Sequence, residues 1–190
     1  MLRKCIFILV MGTVVMGAPA VEAANYVIDQ DYSSITFRIN HIMGFVMGNI
    51  PSFSGTIEMD DKDRNLVGLK SVIDVTSVNT YNPMRDEDLR SKRFFYVEKY
   101  PQATFVAKNI GRKSVTGDLT LHGVTKEVTF DMEFLGKAKD QYGRTKIAFS
   151  LKGKINREDF GITTNVMSQD GKPIIGDDVE LFIELYGVQK

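Results

Sequence analysis

Two pairs of arginine and aspartate are the residues of this chain best suited by type and spacing to hold a charged or polar ligand. Arg85 lies directly before Asp86, and Arg157 lies two residues before Asp159. A guanidinium presents a rigid fork of donors that matches a pyrophosphate, a quinone or an amide head group. Each pair could therefore clamp a head group. The alternative, which stays open, is that each arginine and aspartate tie their own loops together.

The chain has only two histidines, His41 and His122, and neither belongs to a metal-binding or catalytic motif. No nucleophile-elbow signature is present either. We therefore predict no catalytic residue, no metal site and no cofactor. His122 precedes Gly123 between two alternating runs, where a histidine most often caps a turn. We expect His41 to contact the ligand head or order a gate, or else to pair with a neighbouring loop.

Alternation of apolar and polar residues with a period of two predicts the strands that position these residues. We count eight such runs. The polar face is mainly acidic in the sixth run (127–134), carries lysines in the seventh (146–155) and is acidic again in the eighth (179–186). Opposite charges on one face favour antiparallel neighbours. The sequence thus predicts an all-β fold, an eight-stranded antiparallel up-and-down barrel with a short helical insertion between strands four and five.

The unusual connections between the runs alternate with plain polar turns. They are the apolar segment from residue 41 to 53, the segment 79–102, the turn at His122 and the segment 156–176. Asn82 as N-cap and a proline directly after it predict a helix in the second of these. Because successive connections of an up-and-down barrel alternate between its ends, we expect all four at one rim. Long loops in a compact domain are usually functional or disordered.

The N-terminus predicts export. Arg3 and Lys4 precede a short apolar run, and small residues end at Ala23, so we expect a signal peptide over residues 1–23 and one mature domain over 24–190. The destination would be the bacterial periplasm. The single cysteine leaves with the signal peptide, so no disulfide is expected. Without Arg3, Lys4 and Glu22 the net charge is near −1, which favours neither nucleic acid nor an anionic membrane.

The sequence resembles the YceI-like family, periplasmic polyisoprenoid-binding proteins with a lipocalin-like barrel. The resemblance covers nearly the whole mature chain, and one departure from the usual pattern is the first link, VMGNIPSFSG. Its motifs are YVID (26–29), SSITFRINHIMGFVMG (33–48), MRDEDLRSKRFFYVEKYPQATF (84–105), VTGDLTLHGVTKEV (115–128) and INREDFGI (155–162).

The resemblance implies a hollow barrel that holds a long amphiphilic lipid with its tail inward. Alternation alone does not distinguish a hollow barrel from a filled one. The candidate bore residues are Phe37, Ile39, Phe53, Ile57, Leu69, Ile73, Phe105, Leu119, Leu121, Phe130, Met132, Phe149, Leu151, Leu181 and Ile183. The candidate rim residues, for a head group or a gate, are His41, Phe45, Arg85, Asp86, Phe94, Phe95, Arg157, Asp159 and Phe160.

We therefore expect a secreted protein that binds, stores or transports an isoprenoid such as a quinone or a polyprenyl carrier, and is not an enzyme. Its expected partner is the lipid, with no nucleic acid and no stable membrane insertion. The resemblance leaves a homodimer open. Two alternatives remain: an enzyme acting on an isoprenoid-like substrate at the rim, and a filled barrel that serves as a protein-interaction module.

Overall fold

The computed structural model describes residues 24–60, 62 and 64–190. The predicted signal peptide, residues 1–23, lies outside the described residues. Within these described residues, ten strands and one helix follow one another, and short 3-10 turns cover Val75–Ser77 and Arg157–Phe160. The elements are β1 (Ala24–Ile28), β2 (Ser34–His41), β3 (Gly44–Asn49), β4 (Phe53–Met59), β5 (Leu66–Asp74), α1 (Pro83–Arg90), β6 (Gln102–Ile110), β7 (Ser114–Leu121), β8 (Val124–Lys139), β9 (Thr145–Asn156) and β10 (Ile175–Gln189).

The strands form one closed antiparallel barrel. Their order is β1-β4-β5-β6-β7-β8-β9-β10, and β1 closes the ring by pairing with β10. β1 pairs with the last residues of β10, whereas β2 pairs with its first part, so the two strands share one position in the barrel. β3 and β4 share the next position, since β3 pairs with β2 and β4 with β1. The predicted eight-stranded barrel is thereby confirmed.

One part of the predicted gate is a strand. The sequence predicts that the whole segment from residue 41 to 53 is a connection, but β3 occupies the middle of that segment. The pattern is hard to recognise because Gly44 and Gly48 interrupt it and because Phe45 and Met47 lie on the outer face, opposite Asn40 and Arg38 of β2. α1 lies between β5 and β6, which are the fourth and fifth strands when β3 is left out of the count.

The charges of the polar face pair across the strands as the sequence predicts. Asp131 of β8 lies opposite Lys152 of β9. Lys154 of β9 lies opposite Glu180 of β10, and its ammonium is 2.8 Å from the carboxylate of Asp178. Opposite charges at such positions stabilise neighbouring strands by a few tenths of a kcal/mol. They therefore help to fix the order β8-β9-β10.

The unusual connections meet at one end of the barrel, which we call the open end. The backbone N–H of Ile42, in the β2–β3 turn, donates to the carbonyl of Ile174 at 2.7 Å. The hydroxyl of Thr164 donates to the carbonyl of Arg93, which joins the β9–β10 connection to the segment after α1. α1 itself begins as predicted, with Asn82 as N-cap and proline at the first helical turn.

Candidate ligand-binding cavity and rim

The barrel interior contains an apolar cavity of about 110 Å³. Most of its lining comes from strands, because every second side chain of a barrel strand points inward. Among the described residues, Ser71 is the only polar one in its lining. The lining consists of Ile35, Ile50, Phe53, Leu69, Ser71, Ile73, Val75, Ala103, Phe105, Leu119, Leu121, Phe130, Leu151, Ile155, Leu181, Ile183 and Leu185.

Ten of the candidate bore residues lie in this lining, and five do not. Ile57 and Phe149 belong to the packed end of the barrel, where the residual gap beside Leu66 has no room for a water molecule. Met132 is buried in the core without lining the cavity. Phe37 and Ile39 of β2 lie outside the lining; Phe37 is buried and Ile39 is partly buried.

Seven lining residues were absent from the candidate set. Four of them belong to the same alternation, Ser71 inside a predicted strand and Ile35, Ile155 and Leu185 at strand ends, and could have been included on that signal. Ala103 is at the start of β6, ahead of the residues that mark this run. Val75 continues the alternation of Leu69 and Ile73 into the 3-10 turn after β5, whereas Ile50 lies in the β3–β4 connection, where period-two alternation gives no signal.

The size and lining of the cavity restrict its contents. An apolar cavity of about 150 Å³ stays dry and accepts benzene. This cavity is somewhat smaller, so it holds roughly one five-carbon unit without rearrangement. A longer tail therefore requires shifts of the aliphatic and aromatic side chains around it or passage through the open end.

Arg157 is buried at the open end, with all its donors used inside the protein. Its side chain is 4% exposed. Nε donates to the carbonyl of Gly176 at 2.9 Å, and Nη1 donates to the carbonyls of Ile162 and Thr164. Nη2 donates to the carboxylate of Asp177 at 2.6 Å and to the side chain of Asn165. This arrangement ties the β9–β10 connection to the start of β10, and Asp159 is exposed rather than paired with Arg157.

Arg85 and Asp86 contact the same residue, Thr80. Asp86 is buried and accepts from the backbone N–H of Thr80 at 2.8 Å and from its hydroxyl. Arg85 donates from Nε to that hydroxyl at 2.8 Å and from Nη2 to the carbonyl at 2.9 Å. The pair thus fixes the first turn of α1 to the segment before it.

The two histidines differ in their surroundings. His122 and Gly123 have φ of 52° and 76°, as the central residues of a tight hairpin turn do. Nδ1 of His122 lies 3.1 Å from the carbonyl of Phe160, and the ring packs edge-on against Tyr100. Its Nε2 is buried without a hydrogen-bond partner among the described residues. His41 ends β2, is partly exposed and pairs with Gly44 and Ile175.

The aromatic rim candidates occupy three environments. Phe160 is 1% exposed and belongs to the core, and Phe95 packs against that core. Phe94 is buried, with the guanidinium of Arg93 5.8 Å from its ring centre. Phe45 lies on the outside of the barrel and is 57% exposed. Phe45 is therefore a surface residue of the open end, whereas Phe94, Phe95 and Phe160 pack inside the protein.

The titratable groups with shifted pKa values lie away from the cavity. A hydrogen bond to Asp118 raises the pKa of Lys108, and one to Asp178 raises the pKa of Lys154. The backbone N–H of Arg64 lowers the pKa of Asp60 in the β4–β5 turn. Residues 24–60, 62 and 64–190 contain no cluster of three side chains suited to bind a metal. In the same part of the chain, no helix combines the length and apolar character needed to cross a membrane.

Known proteins share both the sequence pattern and the barrel. Residues 26–186 match the YceI-like domain. A UPF0312 protein of Serratia proteamaculans is 37% identical over 196 residues, which cover 100% of this chain and 99% of that protein. The crystal structure of the Campylobacter jejuni YCEI protein has a TM-score of 0.66 and 37% identity, covering 76% of this chain and 85% of that one.

A more distant structure has the same fold. A polyisoprenoid binding domain from Saccharophagus degradans superimposes with a TM-score of 0.63 at 17% identity, covering 89% of this chain and 100% of that one. At that identity the likeness concerns the fold alone. The domain match over residues 26–186 and the full-length relative carry the assignment, and the chain belongs to the YceI-like family.

Proposed function

We propose that this protein binds the tail of a polyisoprenoid or a similar amphiphilic lipid inside its barrel and carries or stores it in the periplasm, without catalysis. The observation that carries the proposal is the cavity, whose described lining is aliphatic and aromatic apart from Ser71. Membership of the YceI-like family and the fold shared with a polyisoprenoid binding domain support it.

The apolar lining favours recognition of the ligand through its tail, not through its head group. Each carbon moved from water into an apolar interior contributes about 0.8 kcal/mol, before the cost of ordering the ligand. By contrast, Arg157 already uses its donors within its own connection, and Arg85 donates to Thr80. A head group at the rim would have to displace these contacts. The proposed ligand therefore has a neutral or weakly recognised head and a branched or flexible apolar tail.

Native mass spectrometry of the protein purified without detergent, followed by solvent extraction, tests the proposal. We expect one isoprenoid-like lipid per chain. Ala103 is 4% exposed and lies in the lining, so Ala103→Leu should fill part of the cavity and remove most of the bound lipid. Thr104→Leu is the matched control, because the neighbouring residue points to the other face of β6. It should leave the bound lipid unchanged.

Other outcomes would overturn the proposal. Protein that carries no lipid and shows no mass shift with quinones, polyprenols or fatty amides would favour the filled interaction module. Turnover of a bound lipid that ceases in His41→Ala or Arg157→Lys, with binding retained, would favour an enzyme at the rim.

A further inference from the structure

The open end of the barrel displays large apolar side chains to solvent. Met43, at the tip of the β2–β3 turn, is 94% exposed, and Met84, in the first turn of α1, is 84% exposed. Four of the six methionines that follow residue 23 are exposed, and all four lie on elements of this end. We call the exposed set the apolar rim: Ile42, Met43, Phe45, Met47, Tyr81, Met84 and Met167.

The tip of the rim is held in a strained conformation. Ile42 has φ of 35°, in the left-handed region that β-branched residues rarely adopt. Glycine or asparagine is the usual residue at such a turn position. A β-branched side chain that is nonetheless 60% exposed contributes little packing to offset this strain. Strain of this kind concentrates at functional sites, where the displayed side chain has a use.

The rim is continuous with the cavity along the chain. β2 contributes Ile35 to the lining and ends beside the tip of the rim, and the chain returns through β3 to Ile50, which lines the cavity again. Residues 39–57 contain no lysine, arginine, aspartate or glutamate, although a quarter of the whole sequence is charged. An apolar tail could therefore pass between the tip and the interior without meeting a charged side chain of this segment.

The connections at the open end carry equal numbers of basic and acidic residues. The connections 42–43, 75–101, 122–123 and 157–174 contain seven basic and seven acidic residues. Such an end attracts neither an acidic nor a basic partner, but it matches a zwitterionic surface. Methionine side chains adapt to irregular apolar surroundings, and a tyrosine such as Tyr81, 78% exposed, suits the boundary between water and hydrocarbon.

We propose that the apolar rim docks reversibly on the surface of a phospholipid bilayer, with the open end of the barrel facing the lipid. Docking would let an apolar tail move between bilayer and cavity without crossing water. The proposal rests on the lipid-binding function above for its purpose, but the docking itself is measurable without any isoprenoid. Because the end is neutral, docking should occur on zwitterionic vesicles and depend little on salt.

Tryptophan fluorescence tests the docking, since the chain contains no tryptophan and a single substitution gives a signal without background. Met43→Trp places the probe at the tip of the rim. Tyr142→Trp, in the β8–β9 turn at the other end and 74% exposed in the native residue, is the matched control. Each protein is mixed with phosphatidylcholine vesicles, with and without bromine on the acyl chains.

We expect the emission of Met43→Trp to shift to shorter wavelength and to lose about half its intensity on brominated lipid, since interfacial side chains reach the acyl boundary. The Tyr142→Trp signal should not change. In co-sedimentation of the otherwise native chain, Met43→Asp should weaken vesicle binding about tenfold or more, whereas Tyr142→Asp should not. Circular dichroism establishes that both aspartate variants are folded.

Two results would overturn the docking proposal. In the first, both tryptophan probes stay in water at every vesicle concentration. In the second, Met43→Trp shifts without vesicles as protein concentration rises, which would assign the rim to a second copy of the chain. Neither result affects the lipid content measured by mass spectrometry, so lipid binding can hold when docking fails. Conversely, vesicle binding by a protein that carries no lipid would support docking and contradict the lipid-binding proposal.

Discussion

Among single residues, Arg157 joins more of the open end than any other side chain described above. Its guanidinium makes five hydrogen bonds, to three carbonyls, one amide and one carboxylate. A buried guanidinium with fully used donors organises a loop, because its own N–H groups and the carbonyl of the buried Ile162 would otherwise lack partners away from water. The same geometry leaves no free donor for a ligand.

Arg157→Lys should lower the free energy of unfolding by about 3 kcal/mol, since a buried ammonium cannot replace the planar fork that joins all five acceptors. Denaturant unfolding measures the loss. Arg38→Lys is the control: Arg38 is about two-fifths exposed and pairs with Glu180 at 2.5 Å, so its replacement should change stability by less than about 1 kcal/mol. If lipid affinity falls in Arg157→Lys well below its unfolding temperature, the arginine contacts a head group after all.

Ile42→Gly should raise the free energy of unfolding by about 1 kcal/mol, because glycine adopts the observed φ of 35° without strain. The backbone hydrogen bond from residue 42 to Ile174 is retained. Thermal and denaturant unfolding measure the change. Met43→Gly, at the neighbouring turn position that lacks positive φ, should stabilise less or destabilise. An equal gain in both variants would attribute the effect to removal of surface apolar groups instead of backbone strain.

At the scale of elements, β3 is the segment that makes this open end. It pairs with β2 on one side, and on the other side only an isolated bridge joins Asn49 to Asn79. It lies close against the barrel because Gly48 is opposite Phe37. A methyl group at residue 48 would come within 2.5 Å of the ring of Phe37 and 2.8 Å of Thr80. The glycine therefore permits the approach.

Gly48→Ala should cost about 1–3 kcal/mol of unfolding free energy, because the added carbon overpacks a buried contact. Gly44→Ala, in the same strand with no atom within 4 Å of the added carbon, is the matched control and should be close to neutral. Unfolding curves of both variants make the comparison. Equal stability of the two would show that Phe37 moves aside freely and that β3 is loosely held.

At the scale of the whole molecule, the barrel is packed at one end and hollow towards the other. The packed end buries Tyr26, Ile57, Met59 and Ile147 almost completely. The hollow part is lined by aliphatic and aromatic side chains that surround a cavity of about 110 Å³. A barrel of eight strands leaves an interior just wide enough for such side chains or for one small ligand. Whether the interior is filled by side chains or leaves room for a ligand depends on how far individual side chains reach inward.

Binding of an uncharged isoprenoid should be independent of pH between about pH 5 and pH 9, because the described lining contains no group that titrates. Affinity should instead rise with tail length over the first few isoprene units. Titrations with polyprenols of increasing length at several pH values check both expectations. A pH-dependent step in affinity would place a titratable side chain such as His41 or His122 in contact with the ligand, and Ala substitution of each would identify which.

Part of this molecule is determined by local sequence and part by tertiary contacts. The alternation from Glu127 to Phe134 and the cap at Asn82 depend on side-chain period and on backbone donors near in sequence, so the strands and α1 are readable from the chain. The assignment of β3 is not, because its outward Phe45 and its two glycines hide the period.

The directions of the functional side chains, and the partners that they contact, depend on the tertiary structure. Arg157 and Asp177 are 20 positions apart, and nothing local brings a guanidinium to that carboxylate rather than to Asp159. The alternation that marks Phe149 and Ile155 as inward cannot say that Phe149 lies at the packed end and Ile155 beside the cavity. Residue period sets the face of a strand, whereas the space left in the interior depends on how side chains from all the strands fill it together.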